Sequence, residues 1–357
     1  MEPVRLGLIG CGGIANSAHL PAIRSLPGLV RLVATADVSP AAAEAAARPF
    51  GADAYGDFRR VTERPDVEMV VVAAPEFAHR QIVEAAAASG KHVLCEKPMA
   101  PSLEDADAMI AACRCAGVRL MVAHSRRFTR RYQEIRQAID AGEVGEVRLA
   151  RENERRMRPE PGRRGAYWRP DHWTGNPELS LGAVLLNGIH EFDLLRWFVG
   201  TEPVKVFAET AVQREGNLVP DFITFTATFA NGALGSSEVT NSLPPGYPSY
   251  HQLDICGTRG FIRARDTDQQ GLIQFGDGGA KYPGTYERLL HIPDAYALEL
   301  SEFVGALRRD EPVPLAAEES RAALRFALAA VKSAKEGRVV WLDETGAANV
   351  GGVGESA

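Results

Sequence analysis

A lysine stands where a predicted buried strand ends. The segment Cys95-Glu96-Lys97-Pro98 follows the strand-like run 91–94, and packing gives little reason for an ammonium group there. Further along the chain, Asn187-Gly188-Ile189-His190 places an imidazole on a predicted helix. An imidazole titrates near neutral pH and can act as a general acid or base, and an ammonium can stabilise a developing alkoxide. The two residue types together suggest chemistry at a substrate hydroxyl.

A glycine-rich turn adds a candidate cofactor site. The segment Gly10-Cys11-Gly12-Gly13-Ile14-Ala15 directly follows the strand-like run 4–9 and opens a predicted helix, as a dinucleotide fingerprint requires. Gly10 permits the tight turn, and Gly12 lets the backbone approach a pyrophosphate. The helix N-terminus supplies N–H groups for the same anion. With the lysine and the histidine, this turn makes a hydride-transfer enzyme the leading hypothesis.

An acidic residue ends the second predicted strand and bears on the choice of cofactor. Asp37 follows Ala15 by 22 residues, where a carboxylate would accept hydrogen bonds from the adenosine ribose. No Arg or Lys adjoins it to hold a 2′-phosphate, so NAD is favoured over NADP. A helix cap before Pro40 is the alternative role for Asp37.

Two further loops belong to the same carboxyl edge of the predicted sheet. The backbone of Ala74-Pro75 should lie beside the nicotinamide half of the cofactor, and Glu96-Lys97 should complete the crevice. For His79, contact with the cofactor and a capping or packing role both remain open. The predicted cofactor contacts are Gly10, Gly12, Gly13, Ile14, Asp37, Ala74, Pro75, His79, Glu96 and Lys97.

The elements around these residues predict a parallel, doubly wound sheet in the first part of the chain. Strand candidates are Arg5–Ile9, Val30–Ala36, Met69–Ala74, Lys91–Cys95 and Val118–Ala123. Helical stretches fall between them at Ala15–Ser25, Pro40–Arg48, His79–Ser89 and Ser102–Cys115. Strands that alternate with helices imply right-handed crossovers and a Rossmann-like α/β domain, here residues 1–124.

The pattern changes after residue 125 and predicts a second α/β domain for substrate binding and oligomerisation over 125–343, whose final helices could pack back on the Rossmann domain. A single helix is expected over 181–198, and two more at 296–309 and 318–335. Alternating runs such as 222–229 predict a mostly antiparallel sheet. The small-residue stretch 344–357 is expected to be a disordered tail.

Composition excludes several classes of protein. The net charge of -6 gives no global basic field for nucleic acid. No apolar run approaches the roughly 20 residues needed to span a bilayer, and a strand by Val4 leaves no room for a signal peptide. The five scattered cysteines do not form a disulfide pattern. A cytoplasmic protein without a metal site, a membrane partner or a nucleic-acid partner is expected.

These motifs resemble the Gfo/Idh/MocA oxidoreductases, a family of sugar and inositol dehydrogenases. The resemblance covers nearly the whole chain and rests on 10–15, Ala74-Pro75, Glu96-Lys97-Pro98, Gly188-Ile189-His190 and 257–260. It implies a Rossmann domain, a second α/β domain whose open-faced sheet forms dimer or tetramer interfaces, and NAD(P) with a carbohydrate or polyol. It often implies a cis bond before Pro98.

Carried over by residue, the resemblance makes Lys97 the group that contacts the reacting hydroxyl and the cofactor, and His190 the general acid/base. Many members carry an aspartate four residues before that histidine, where this chain has Leu186. Asn187, three residues before His190, is the nearest polar substitute and can orient but not carry a charge. Asp193 could help to orient the His190 imidazole, or it could cap and solvate the helix.

An arginine-rich loop before this helix could form the substrate wall. Arg155, Arg156, Arg158, Arg163 and Arg164 lie near Tyr167 and Trp168, the two aromatics favoured as substrate contacts beside Lys97, Asn187 and His190. A solvated loop or a subunit contact explains the arginines equally well. The leading function is an NAD-dependent sugar or polyol oxidoreductase. The alternatives are a redox-assisted glycosidase or lyase with tightly held NAD⁺, and a non-catalytic NAD-binding regulatory protein. A metal hydrolase on His190 and its neighbours lacks further ligands at credible spacing.

Overall fold

A computed structural model describes residues 2–157, 172–214, 216–243, 250–265, 272–276, 279–281, 292–342 and 348–349. The chain forms two compact units. The first contains residues 1–130 and 290–321, and the second contains residues 131–289 and 322–357.

The first unit is built on a parallel sheet of six strands within the described residues. The strands are β1 (Val4–Ile9), β2 (Val30–Ala36), β3 (Asp53–Tyr55), β4 (Met69–Val72), β5 (His92–Glu96) and β6 (Leu120–Ala123). Their order is β3-β2-β1-β4-β5-β6, and every pair is parallel. The strand order therefore reverses between β1 and β4, which is where ligands bind in folds of this kind. The predicted doubly wound sheet is confirmed.

Helices connect these strands. They are α1 (Leu20–Ser25), α2 (Pro40–Ala47), α3 (Arg59–Thr62), α4 (Glu76–Ala88) and α5 (Leu103–Cys115), with α9 (Ile292–Arg309) added from the distant part of the chain. A π-helical turn over Ala15–His19 precedes α1. Ser39 caps α2 by accepting from the Ala42 N–H at 3.4 Å, and Ser102 caps α5 from the Asp105 N–H at 3.1 Å. Every residue of β4 is buried, as expected for a central parallel strand covered on both faces.

The second unit carries a mixed, mostly antiparallel sheet, with ten strands in the described part of the chain. In chain order they are β7 (Val147–Met157), β8 (Pro203–Ala211), β9 (Phe222–Phe229), β10 (Leu234–Leu243), β11 (Tyr250–Gly257), β12 (Phe261–Arg265), β13 (Leu272–Gly276), β14 (Gly279–Lys281), β15 (Val340–Leu342) and β16 (Ala348–Asn349). The order in the sheet is β14-β13-β12-β11-β7-β10-β9-β8-β15-β16. β10 runs parallel to β7, whereas it pairs antiparallel with β9.

Helices cover one face of this sheet. The remaining helices are α6 (Arg130–Asp140), α7 (Ala183–Leu186), α8 (Ile189–Val199) and α10 (Ala317–Glu336). Phe225 on β9 stacks on Phe192 of α8 with ring centroids 4.3 Å apart, and Phe326 of α10 meets Phe192 edge-on at 4.9 Å. Alternate residues of β9 face away from this aromatic core, and Thr224 and Thr226 among them are exposed. The alternating run 222–229 therefore forms a strand with one covered and one uncovered face, and the mostly antiparallel sheet predicted from it is confirmed.

Three local predictions were wrong. The single helix expected over 181–198 is two helices, α7 and α8, with Asn187-Gly188 between them. Glycine lowers helix propensity, and here the chain uses it to end one helix and start another. The short strand β3 was not predicted, and α4 begins at Glu76, three residues earlier than expected.

Candidate functional site

The glycine turn after β1 is shaped by a close backbone approach. Gly10 has a φ of +90°, and a Cβ there would lie 2.6 Å from the carbonyl carbon of Ala73 and from the backbone nitrogen of Ala74. A side chain at Gly10 would therefore clash with the loop that follows β4. A Cβ on Gly12, in contrast, would meet no described atom within 4 Å. The turn therefore has no room for a side chain at Gly10, where it meets the loop after β4, but it is open at Gly12. The open position would let a pyrophosphate come close to the backbone.

Asp37 is fixed beside this turn by two backbone donors. Its Oδ2 accepts from the Cys11 N–H at 2.8 Å, and its Oδ1 accepts from the Ser39 N–H at 2.8 Å. The side-chain cap of α2 is Ser39, so Asp37 is not the cap of that helix. Burial, followed by the charge of Asp37, raises the pKa of the Cys11 thiol to about 12. The carboxylate therefore projects its charge onto the glycine turn.

His79 ties together the loops after β4 and β5. Its Nε2 lies 2.9 Å from the Ala74 carbonyl oxygen, and its Nδ1 lies 3.1 Å from that of Met99. The side chain is only 1% exposed, and burial lowers its pKa. Because both ring nitrogens face backbone carbonyls, His79 has the packing role of the two left open, and its predicted contact with the cofactor is not supported.

Glu96 is a buried anchor for the segment that carries Lys97. Its Oε1 lies 2.9 Å from His19 Nε2, and its Oε2 accepts from the Lys97 N–H at 3.0 Å. Burial raises the pKa of Glu96, but the hydrogen bond and charge of His19, together with Lys97, outweigh it and hold the pKa below its usual value. Both carboxylate oxygens have partners inside the protein, and one of them holds the Lys97 backbone. The contact of Glu96 with the cofactor stays a prediction.

Lys97 itself is partly buried and directly follows β5. The peptide bond between Lys97 and Pro98 is cis, as the resemblance implied. Because β5 is a central strand of a parallel sheet, its end places Lys97 at the carboxyl edge, where the glycine turn also lies.

Glu76 shares this edge and was missed by the sequence analysis. It is the first residue of α4, directly after Pro75, and is only 2% exposed. Its Oε1 has no hydrogen-bond partner among the described residues. Burial raises the pKa of Glu76 to about 7 against the opposing charge of Lys97. The available signal was a carboxylate directly after a Pro at a strand end, but the predicted helix began too late to include it.

The second unit holds His190 near the start of α8. His190 is 7% exposed, and its N–H donates to the Asn187 carbonyl oxygen at 3.2 Å. Asn187 lies in the break before α8 and is half-buried. Asn187 therefore lies just outside the helix that carries His190, and its role beside the imidazole stays a prediction.

The arginine-rich loop is described only in part. Arg155 Nη2 lies 2.6 Å from Glu238 Oε2 across the sheet, and Arg156 pairs with the buried Glu154. These two arginines thus have partners in the sheet. Tyr167, Trp168 and the remaining arginines of the cluster lie outside the described residues.

Metal-binding clusters, disulfides and membrane-spanning helices are absent from the described residues. No group of three His, Cys, Asp or Glu side chains there could hold a metal ion. The five cysteines are free thiols, four of them at least partly buried. Within the same residues, no helix is long and apolar enough to cross a membrane.

A glycine turn after the first strand, a carboxylate after the second and a lysine after the fifth define a nucleotide-dependent oxidoreductase. Two family models match in agreement with this. Residues 4–124 match the oxidoreductase family Gfo/Idh/MocA, NAD-binding Rossmann fold, and residues 132–263 match the Gfo/Idh/MocA C-terminal domain. The chain belongs to the Gfo/Idh/MocA family of oxidoreductases, and its cofactor is NAD.

Named relatives share almost the full length of the chain. It is 29% identical to myo-inositol 2-dehydrogenase of Thermotoga maritima over 349 residues, which cover 96% of this chain and 99% of that protein. It is 28% identical to inositol 2-dehydrogenase of Rhizobium meliloti over 340 residues, covering 94% and 98%. Among solved structures, levoglucosan dehydrogenase in complex with NADH and L-sorbose is similar, with a TM-score of 0.84, 25% identity and coverage of 96% and 100%.

Proposed function

We propose that this protein is an NAD-dependent dehydrogenase or reductase that transfers hydride between nicotinamide and a hydroxyl or carbonyl of a sugar, inositol or related polyol. The observation that carries the proposal is the position of Lys97. It follows a central parallel strand, its backbone is held by a buried carboxylate, and it shares the carboxyl edge with the glycine turn. The names of the relatives, two inositol dehydrogenases and a levoglucosan dehydrogenase, support the substrate class.

The residues of the first unit fit NAD. The open side of the turn at Gly12, with Gly10, Gly13 and Ile14, would hold the pyrophosphate at a helix N-terminus. The fixed carboxylate of Asp37 would accept from the adenosine ribose. The loop Ala74-Pro75 would lie beside the nicotinamide ring. When bound, NAD would supply the hydride acceptor, and side chains of the protein would accept or donate the proton.

The proton chemistry is assigned to Lys97 and His190, which we expect to act on one substrate hydroxyl. In the direction of oxidation, the O–H proton passes to the neutral imidazole of His190 as the hydride leaves the carbon. The Lys97 ammonium stabilises the negative charge that develops on the oxygen. Asn187 can position a hydroxyl through its amide but cannot take the proton. Tyr167 and Trp168 stay predicted substrate contacts.

A broad screen of sugars and inositols with NAD⁺ and NADP⁺ tests this function. With the right substrate, NADH accumulates in proportion to the oxidised product, and NADP⁺ gives slower turnover. Product formation without net NADH would instead favour the redox-assisted lyase or glycosidase. Binding of NAD without turnover on any polyol, together with wild-type affinity in the Lys97→Ala variant, would favour the regulatory protein.

Assembly into a dimer or tetramer is proposed from the uncovered face of the second sheet. Leu234 of β10 is 54% exposed and Trp341 of β15 is 50% exposed, and Phe207 of β8 adds a further exposed ring. Exposed apolar side chains of this size on one sheet mark an interaction surface. A second copy of the chain is the expected partner, and a cytoplasmic location stays a prediction from composition.

A further inference from the structure

The carboxyl group of Glu76 is buried at the carboxyl edge with only one of its two oxygens hydrogen-bonded, to the backbone N–H of Glu76 itself. The side chain is 2% exposed, and its Oε1 meets no hydrogen-bond partner within the described part of the chain. A buried carboxyl that lacks partners is costly, so its retention at such a position calls for a function. Neither the cofactor contacts nor the proton chemistry proposed above uses this group.

The topology places Glu76 next to Lys97. β4 and β5 are hydrogen-bonded neighbours with Val72 opposite Cys95. Glu76 follows the end of β4 by four residues, and Lys97 follows the end of β5 by one. His79 fixes the two loops to each other through the carbonyls of Ala74 and Met99. The two side chains therefore leave adjacent strand ends through loops whose separation is set by the same histidine.

Lys97 is the charged side chain that acts on the carboxyl group of Glu76. The Lys97 ammonium acts on the Glu76 carboxyl and favours its ionised form, in opposition to burial. On α4 itself, His79 is occupied by backbone carbonyls, and Arg80 pairs with Glu84 at 3.0 Å and with Asp105 of α5 at 3.0 Å. From β5, Glu96 is held by His19 and by the Lys97 N–H, and the Lys97 charge acts on its carboxylate as well.

We propose that Glu76 is a positioning residue for Lys97, whose buried carboxylate is the counter-charge that holds the lysine ammonium in place at the strand edge. The contribution of this pair to turnover rests on the proposed function, whereas the electrostatic coupling itself does not. Because burial raises the pKa of Glu76 to about 7, the counter-charge should be present above that pH and lost below it. The resting charge of the edge thus changes within the physiological pH range.

Infrared difference spectroscopy of the protein without substrate tests the coupling. In the wild type, a protonated-carboxyl band should disappear as the pH rises through about 7, and the band should be absent from Glu76→Gln. In Lys97→Met, the midpoint of this band should move up by about 1 pH unit or more, because the opposing charge is gone. Glu84→Gln is the matched control, since Glu84 lies on the same helix in contact with solvent, and it should titrate as the wild type does. A band that persists in Glu76→Gln, or a midpoint unchanged by Lys97→Met, overturns the proposal.

A kinetic double-mutant cycle tests the consequence for turnover. Glu76→Gln should lower kcat about 10-fold with KM for the substrate changed by less than about 3-fold, the size expected for one interaction with a charged group. In the Lys97→Met background the same substitution should cost less than about 2-fold, because nothing is left to position. Equal losses in both backgrounds would show a structural role and overturn the proposal. If no substrate turns over, the proposed function fails, but the spectroscopic result still decides the coupling.

Discussion

Replacing Asp37 by serine should reduce or reverse the preference for NAD over NADP. In the structure the carboxylate is held by the N–H groups of Cys11 and Ser39, both at 2.8 Å, so it cannot turn away from a ligand at the turn. An adenosine ribose would offer hydroxyl donors to it. A 2′-phosphate at the same place would bring a second negative group against a charge that is fixed.

The magnitude follows from Coulomb's law. Two unit charges about 4 Å apart interact by about 1 kcal/mol in water and about 4 kcal/mol at the effective dielectric constant near a protein surface. A phosphate monoester carries roughly 1.5 to 2 negative charges. Since Asp37 is only half-buried, we take the lower part of this range, about 2 to 4 kcal/mol. At about 1.4 kcal/mol for each factor of ten, the preference should be roughly 30- to 1,000-fold.

A second effect of the substitution must be separated from this one. Removing the carboxylate leaves the Cys11 N–H of the glycine turn without its acceptor, which costs about 1 to 3 kcal/mol for a buried donor. That loss should weaken both cofactors alike. The ratio of kcat/KM with NAD to kcat/KM with NADP therefore measures the repulsion between Asp37 and the 2′-phosphate. The kcat/KM with NAD alone measures the effect of the lost hydrogen bond on the glycine turn.

The assay compares these ratios in wild type, Asp37→Ser and Asp37→Asn. Asp37→Asn removes the charge but keeps one acceptor. Its ratio of kcat/KM with NAD to kcat/KM with NADP should therefore fall as it does in Asp37→Ser, while its kcat/KM with NAD is better preserved. Asp57→Asn is the control, because Asp57 is an exposed carboxylate of the same unit. A wild type that prefers NADP, or a ratio that changes by less than about 2-fold in both Asp37 variants, would refute the reasoning.

Three further predictions concern catalysis, stability and assembly. Lys97→Ala and His190→Ala should each lower kcat/KM by about 10²- to 10⁴-fold with NAD affinity, measured by calorimetry, within several-fold of wild type; a tenth of wild-type turnover in both would contradict the assignment. Burial, followed by the charge of Glu96, raises the pKa of Glu299 well above its usual value, so the folded state holds a proton that the unfolded state releases and stability falls as the pH rises above about 4.5. Between pH 5 and pH 8, roughly the range above the pKa of an ordinary Glu, the Tm of Glu299→Gln should therefore fall less than the Tm of the wild type. An equal fall in Tm in both proteins would count against this. Light scattering should show a dimer or tetramer that Leu234→Arg converts to smaller species, whereas a wild-type monomer at micromolar concentration would exclude the interface.

The first unit could be predicted well because its signals are local. Each of its local patterns corresponds to one element of the structure. The apolar run 69–72 forms β4, the glycine turn follows β1, and serines cap α2 and α5. β3 was missed because Asp53–Tyr55 is too short for a periodic pattern and pairs only at the edge of the sheet. Sequence alone also could not show that His79 and Glu96 are occupied inside the protein. That depends on carbonyls and a histidine brought close by the fold.

The site in the second unit was predicted less well for a related reason. Helical periodicity continues in the sequence through Asn187-Gly188, so nothing local shows that α7 ends before α8 begins. The missing carboxylate at Leu186 was judged on the assumption of one helix. Because Asn187-Gly188 separates α7 from α8, neither Leu186 nor Asn187 belongs to the helix that carries His190.

Asp193 lies three residues after His190 in the same helix and therefore on the same side of it, where its carboxylate could act on the imidazole. Asp193 is 1% exposed, which excludes the alternative that it solvates the helix end. A carboxylate on this helix moves with its histidine, whereas one across the break would not. Its negative charge should stabilise the imidazolium, so Asp193→Asn should shift the acidic limb of the pH–rate profile to lower pH and reduce kcat, with Asp140→Asn, an exposed carboxylate of α6, as the control. An acidic limb that stays in place while kcat falls would show that Asp193 supports the fold of α8 and leaves His190 to work without a carboxylate partner.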